Sequence, residues 1–227
     1  MTGVFDSGRG GLIALFELRR LRAKEDICFL RDRKNSPYGT KSEEELLSIV
    51  RSDISRLRAA GCKKILMACC TASTVYPHLS PEDKALCVPI IYPTALAAAR
   101  LTKNKRIGVL ATERTIASGK FREALADIDR AIEVTEISTR ELVLWVENGK
   151  TDKSITDREK AHLMRLTEPF RKAKIDTLIL GCTHFPALKG SIEACLDGTK
   201  TVSSAYIGAL EMTKIQNEAG KGRLFCL

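Results

Sequence analysis

Two cysteines stand in matched surroundings in this chain. Ile65-Leu66-Met67-Ala68-Cys69-Cys70-Thr71-Ala72 and Leu178-Ile179-Leu180-Gly181-Cys182-Thr183-His184 each run as an aliphatic stretch, a small residue, then Cys, with Thr one or two places on. They lie roughly half the chain apart, and each has a second echo upstream: Gly3-Val4-Phe5-Asp6-Ser7 and Gly108-Val109-Leu110-Ala111-Thr112. A pair of thiols on opposite walls of a cleft has a specific use. Inverting a carbon stereocentre by proton transfer needs a base on one face and a conjugate acid on the other. A thiol, with an ordinary pKa near 8.5, can serve as either once its surroundings tune it. The competing reading is that a buried cysteine is a small hydrophobe. It suffices for Cys28, Cys62, Cys87, Cys195 and Cys226, and periodicity alone leaves the matched pair between the two readings.

Other residues near these segments could support such chemistry. Asp6-Ser7-Gly8-Arg9-Gly10-Gly11-Leu12 follows the first aliphatic run directly and offers a carboxylate, a hydroxyl and a glycine-rich turn. Ile13 occupies the place of the third glycine of the dinucleotide fingerprint, and no Gly-Lys-Ser/Thr follows. The segment is then either an anion-accepting loop at a helix N-terminus or a bare tight turn. His184, two residues from Cys182, is placed to tune that thiol or shuttle its proton. No second Cys/His cluster with ligand spacing appears, so no metal is expected.

The elements that would carry these residues alternate. Short β-branched runs at 3–5, 27–30, 64–67, 88–91, 107–110, 132–136, 177–180 and 199–202 read as strands. Amphipathic stretches at 11–24, 42–60, 94–102, 115–126 and 157–173 read as helices, with Ser42 and Glu45 forming a capping box. The pattern predicts an α/β protein of two similar parallel-sheet halves facing each other across a cleft and related by a pseudo-twofold. Each half would place one thiol at the carboxyl end of a strand, where open α/β sheets bind ligands. The first half is expected to span 1–93 and 206–227, the second 94–205.

Composition narrows the function classes. The 227 residues are 44% apolar, enough for a sizeable core, and carry 37 Lys plus Arg against 28 Asp plus Glu. Charged residues interrupt every aliphatic run before it could span a membrane, and the N-terminus shows neither the basic nor the apolar region of a signal peptide. The eight cysteines are therefore expected as free thiols in a reducing cytosol. The surplus of nine positive charges falls in short clusters, with aromatics only 5% of the chain, so solvated faces explain it better than a nucleic-acid surface. A positive field also draws small carboxylates.

Four motifs together resemble the glutamate racemases of the aspartate/glutamate racemase superfamily: Asp6-Ser7-Gly8-x-Gly10-Gly11-Leu12, Pro37-Tyr38-Gly39-Thr40-Lys41-Ser42, Ala68-Cys69-x-Thr71-Ala72-Ser73 and Leu180-Gly181-Cys182-Thr183-His184-Phe185-Pro186. The resemblance implies a cofactor-independent enzyme interconverting L- and D-glutamate. Cys69 matches the thiol that acts on the D-enantiomer and Cys182 the one that acts on the L-enantiomer. Asp6 and His184 match their assisting residues, and Asp32 and Glu147 match two further acidic positions. Ser7, Pro37, Tyr38, Gly39, Cys70, Thr71, Thr112, Thr115 and Thr183 fall at substrate-binding positions. The resemblance also implies a homodimer in a bacterial cytoplasm that supplies D-glutamate for peptidoglycan and so for cell shape. The chain departs from the family pattern at Cys70, where Asn is usual, at Arg31 and Arg33, which replace Gly and Thr, at Tyr92, and at Ser138-Thr139-Arg140, which replaces Ala-Cys-Pro. The Cys70 departure keeps an aspartate or other acidic amino-acid racemase as an alternative. A binding protein without turnover, for an amino acid or a nucleic acid, is the alternative from a different class.

Overall fold

The computed structural model describes residues 1–215 and 220–227. Among these residues nine strands form two parallel sheets. The first contains β1 (Thr2–Asp6), β2 (Ile27–Arg31), β3 (Lys64–Met67), β4 (Cys87–Pro89) and β9 (Leu224–Cys226), in the order β4-β3-β1-β2-β9. The second contains β5 (Arg106–Ala111), β6 (Glu133–Ser138), β7 (Thr177–Gly181) and β8 (Lys200–Ser203), in the order β6-β5-β7-β8. Strands β1, β3 and β7 are buried almost throughout and β5 nearly so, which explains why they read as continuous aliphatic runs.

Helices Gly10–Leu21, Ile91–Leu101 and Ser204–Thr213 pack on one another between the sheets. Their apolar faces join Val4 and Leu66 of one sheet to Ile107, Val109 and Ile179 of the other in a single core. Each half has a second core on its outer side, one around Phe5, Ile54 and Met67, the other around Leu110, Phe170 and Leu180. The halves therefore share buried apolar surface along one side and are free to form a cleft along another. Of the C-terminal segment expected in the first half, β9 pairs with β2, while residues 216–219 lie outside the described residues. Among the described residues no helix is long and apolar enough to cross a membrane.

Several boundaries differ from the periodicity. The stretch 115–126 is two helices, Glu113–Ala117 and Lys120–Ile128, because Gly119 turns into the left-handed region at φ 66°. The stretch 157–173 breaks after Leu166, since Pro169 has no N–H to continue the ladder. The helix expected from 94 starts at Ile91 and takes Pro93 into its first turn, where the missing donor costs nothing. The capping box holds: Glu45 N–H donates to Ser42 Oγ at 3.2 Å, and Ser42 N–H to Glu45 Oε2 at 2.8 Å. Strand β9 escaped the sequence reading because its three residues are exposed and carry no buried pattern.

Candidate active site

Strand β3 ends at Met67, two residues before Cys69, and Cys69 forms the N-cap of the short helix Cys70–Ser73. Strand β7 ends at Gly181, directly before Cys182. Both thiols line one cleft. Ser7, Pro37, Tyr38, Gly39, Thr40 and Thr71 complete its wall on the first half. Thr112, Glu113, Arg140, Val143, Thr183 and His184 complete it on the second. The sulfurs are 6% and 7% exposed as residues, so a ligand between them would be shielded from water.

The glycines of the Asp6–Leu12 loop bring the halves together. A Cβ on Gly8 would run into the Glu147 carboxylate, and one on Gly10 into the Thr183 hydroxyl and the His184 ring. Close approach across the cleft, rather than an empty anion cradle, is what the loop's glycines supply here. Asp6, fully buried, accepts from Gly8 N–H at 2.7 Å and from the Thr183 hydroxyl at 2.9 Å. Burial pushes its carboxyl above the ordinary range, against the His184 charge and those two donors.

Around Cys182 the polar groups form a chain. Its sulfur lies 3.4 Å from His184 Nδ1, and His184 Nε2 lies 2.6 Å from Glu147 Oε1. Glu147 also accepts the Arg9 backbone N–H at 2.6 Å and pairs through Oε2 with Arg31 Nη2 at 3.0 Å. Burial alone would raise the Glu147 carboxyl. Hydrogen bonds from His184 and Arg9, with the charges of His184 and Arg31, instead hold it at about 2. Around Cys69 there is less. Ser7 Oγ stands 3.9 Å from the sulfur, and the amides of Ala72 and Thr71 point toward it. Burial, then the charge of Asp6, pushes the Cys69 thiol up to about 12. Burial also lifts Cys182 well above its ordinary value.

Behind the lining stand the remaining sequence-nominated residues. Thr115 bonds Thr71 at 3.1 Å and Thr112 at 2.9 Å, so three hydroxyls from the two halves form one cluster. Asp32 accepts the Tyr38 hydroxyl at 2.8 Å and sits one layer back from the cleft. Cys70 is not in the lining: it packs in the shared core with Leu66, Ala68 and Ile90, because the residue after the N-cap turns inward. The Cys70 side chain therefore contributes nothing to the cleft wall. Arg140, Glu113, Val143 and Thr40 line the cleft without having been nominated. Arg140 had a signal, being a cation where the family pattern has Pro. Among the described residues no group of three or more His, Cys, Asp or Glu gathers as a metal site.

The comparisons with known proteins agree with this architecture. A family model described as Asp/Glu/Hydantoin racemase matches residues 27–211. A glutamate racemase from Corynebacterium kroppenstedtii is 35% identical over 217 residues, 94% of this chain and 74% of that protein. Among solved structures, a glutamate racemase isoform from Bacillus anthracis superposes with a TM-score of 0.89 at 33% identity, covering 100% of this chain and 86% of that one. A Francisella tularensis glutamate racemase, in complex with D-glutamate, gives 0.87 at 27% identity, covering 99% and 86%. With the matched sheets, the facing thiols and these relatives together, the chain belongs to the Asp/Glu/hydantoin racemase family and is an amino-acid racemase.

Proposed function

We propose that the cleft interconverts L- and D-glutamate by two-thiol proton transfer at the α-carbon. The observation that carries this reading is that Cys69 and Cys182, each just past a strand end of a different sheet, line the same shielded cleft. Cys69 as thiolate removes the α-proton of D-glutamate while the Cys182 thiol protonates the opposite face, and the roles reverse for L-glutamate. Burial opposes both thiolates, so their formation needs charge compensation. At Cys182 the His184 ring can take the thiol proton through Nδ1 while Nε2–H donates to Glu147. At Cys69 the compensation falls to the substrate's own ammonium and to the Ala72 and Thr71 amides. The hydroxyls of Ser7, Thr71 and Thr112 line the cleft and can donate to the substrate's carboxylates, where negative charge builds as the proton leaves, while the Thr183 hydroxyl is engaged with Asp6.

Glutamate is favoured by relatives that are named glutamate racemases, and a dicarboxylate suits a chain with nine surplus positive charges. The same kinship supports a homodimer in a bacterial cytoplasm supplying D-glutamate for peptidoglycan. The proposed halves are 1–93 with 206–227, and 94–205, a division supported by β9 pairing in the first sheet. The test is incubation with L-glutamate, D-glutamate and L-aspartate in heavy water, following optical rotation and α-deuteration. Glutamate should racemise with deuterium uptake, and Cys69→Ala or Cys182→Ala should abolish racemisation. Full activity in both variants would overturn the two-thiol mechanism, and exchange of aspartate alone would replace the substrate.

A further inference from the structure

Glu147 is the last residue of helix Glu141–Glu147 in the second half, and two of its partners come from the first. Its Oε1 faces His184 Nε2 and the Arg9 amide, both at 2.6 Å. Its Oε2 meets Arg31 Nη2 at 3.0 Å, and Arg9 Nη1 reaches the Glu147 carbonyl at 3.4 Å. Arg31 is the final residue of β2, in the sheet that carries Cys69, yet its guanidinium reaches the charge relay behind Cys182. Arg31 lies outside the four motifs that carry the resemblance, so they do not account for its side chain. Its Nε is buried without a hydrogen-bond partner, a cost accepted while Nη2 keeps its contact.

We infer that Arg31 is a positioning residue, a latch across the cleft that fixes the Glu147 carboxylate toward His184 and thereby sets the proton transfer at Cys182. The Arg9 amide and the imidazole meet Oε1 only, and a carboxylate held at one oxygen can still swing about it. Arg31 holds Oε2, which leaves Oε1 aimed at the ring. Without it the Arg9 amide alone keeps Oε1 before the imidazole, and the end of helix Glu141–Glu147 loses a side-chain tie to the first sheet. Cys69 touches none of these groups, so its half of the reaction is spared. This rests on the two-thiol reading above.

The asymmetry has a defined signature. Enantiomers are equal in energy, so any variant lowers kcat/KM equally in both directions. What changes is which proton transfer limits the rate. In Arg31→Met, kcat should fall about 10- to 100-fold, the range for displacing a catalytic group from a distance, with KM changed less than about 3-fold. The primary isotope effect should rise with α-deuterated L-glutamate, whose proton Cys182 removes, and fall with α-deuterated D-glutamate. Arg31→Lys should recover most of kcat, while Arg33→Met, the neighbouring exposed cation, should match wild type.

Amide hydrogen exchange over residues 141–147 in the substrate-free protein gives a second readout. The latch predicts faster exchange in Arg31→Met and not in Arg33→Met. Unchanged exchange there, or isotope effects that shift equally for both enantiomers, would overturn the latch. If wild type proves inert toward glutamate while Arg31→Met still loosens 141–147, the latch across the cleft stands and the substrate reading is what fails.

Discussion

At the end of β3 the Cys69 sulfur has a serine hydroxyl at 3.9 Å and two backbone amides. At the end of β7 the Cys182 sulfur has an imidazole nitrogen at 3.4 Å, itself held by a carboxylate at 2.6 Å and, beyond it, a guanidinium at 3.0 Å. The two halves repeat a backbone without repeating its electrostatics. A symmetric reaction asks only that each thiol reach both protonation states. It does not ask that they do so by the same means. In the proposed mechanism Cys182 passes its proton to a neighbour within the protein, whereas Cys69 relies on two backbone amides and on what the substrate brings. Asp6, buried behind the cleft wall and bonded to Thr183, adds negative charge that disfavours both thiolates.

The largest test of that difference replaces each thiol in turn. A hydroxyl fills the space but holds its proton far more tightly, so Cys69→Ser and Cys182→Ser should each lose about 1,000-fold or more in kcat, the upper part of the range for a general acid or base. The isotope effects should diverge: larger with α-deuterated D-glutamate for Cys69→Ser, larger with the L-form for Cys182→Ser. Identical isotope effects in the two variants would break the assignment of one thiol to each face.

How much of this was legible follows from where the signal came from. Strands β1, β3, β5 and β7 read correctly because burial on both faces leaves continuous aliphatic runs, and the thiols were visible because they follow two of them. The helix breaks at Gly119 and Pro169 were also present in the sequence, yet amphipathic periodicity ran through them and masked the interruption. Contacts between halves were not legible at all. Nothing local in Arg9 or Arg31 announces a partner at 147, since that pairing exists only once two sheets have formed and packed. Asp53 had a readable signal that went unused. It lies on the buried stripe Leu46, Val50, Ile54 and Leu57 of helix Glu43–Ala59, where a lone carboxyl needs a partner.

A second test removes the relay and keeps its shape. Glu147→Gln retains an oxygen for His184 and the Arg9 amide but loses the charge that stabilises an imidazolium. The expected loss is about 100-fold in kcat. The isotope effect should rise with the L-form, as in Cys182→Ser but to a smaller extent. A matching rise with the D-form would mean that Glu147 serves both walls, and the contrast between them would narrow to Ser7 against His184.

The first half does have a buried carboxyl network, set one layer behind the cleft and acting on a turn instead of a thiol. The Tyr38 hydroxyl lies 2.8 Å from Asp32 Oδ2 and 2.7 Å from Asp53 Oδ2, and all three residues are buried. The phenol has one proton to share between the two carboxyls; Asn35 Nδ2 also donates to Asp32 at 2.8 Å, while Asp53 has, among the described residues, only Arg56 Nη1 at 3.5 Å besides. Burial, opposed by the Tyr38 hydrogen bond and assisted by the Asp32 charge, lifts Asp53 to about 6, so this carboxyl holds a proton below that pH. Its folded pKa then exceeds the unfolded value, so the native state binds the proton more tightly. The stability this adds is complete below the unfolded pKa, near 4, and is lost as pH rises to about 6. Wild type should therefore lose on the order of 2 kcal/mol between pH 4 and pH 7 from this group, set against the opposite trend of Glu147, whose stabilisation falls away only as pH drops from about 4.5 toward 2. Asp53→Asn, which donates an N–H to the phenol at every pH, should flatten the upper part of that curve in denaturant titrations. Because Tyr38 and Gly39 wall the cleft, kcat should change less than about 3-fold while KM above pH 6 improves by a similar factor. An unaltered stability profile in Asp53→Asn would show that Asp53 does not carry this pH dependence. A large loss in kcat would mean that this network reaches Cys69 after all, which would give the first wall a relay of its own.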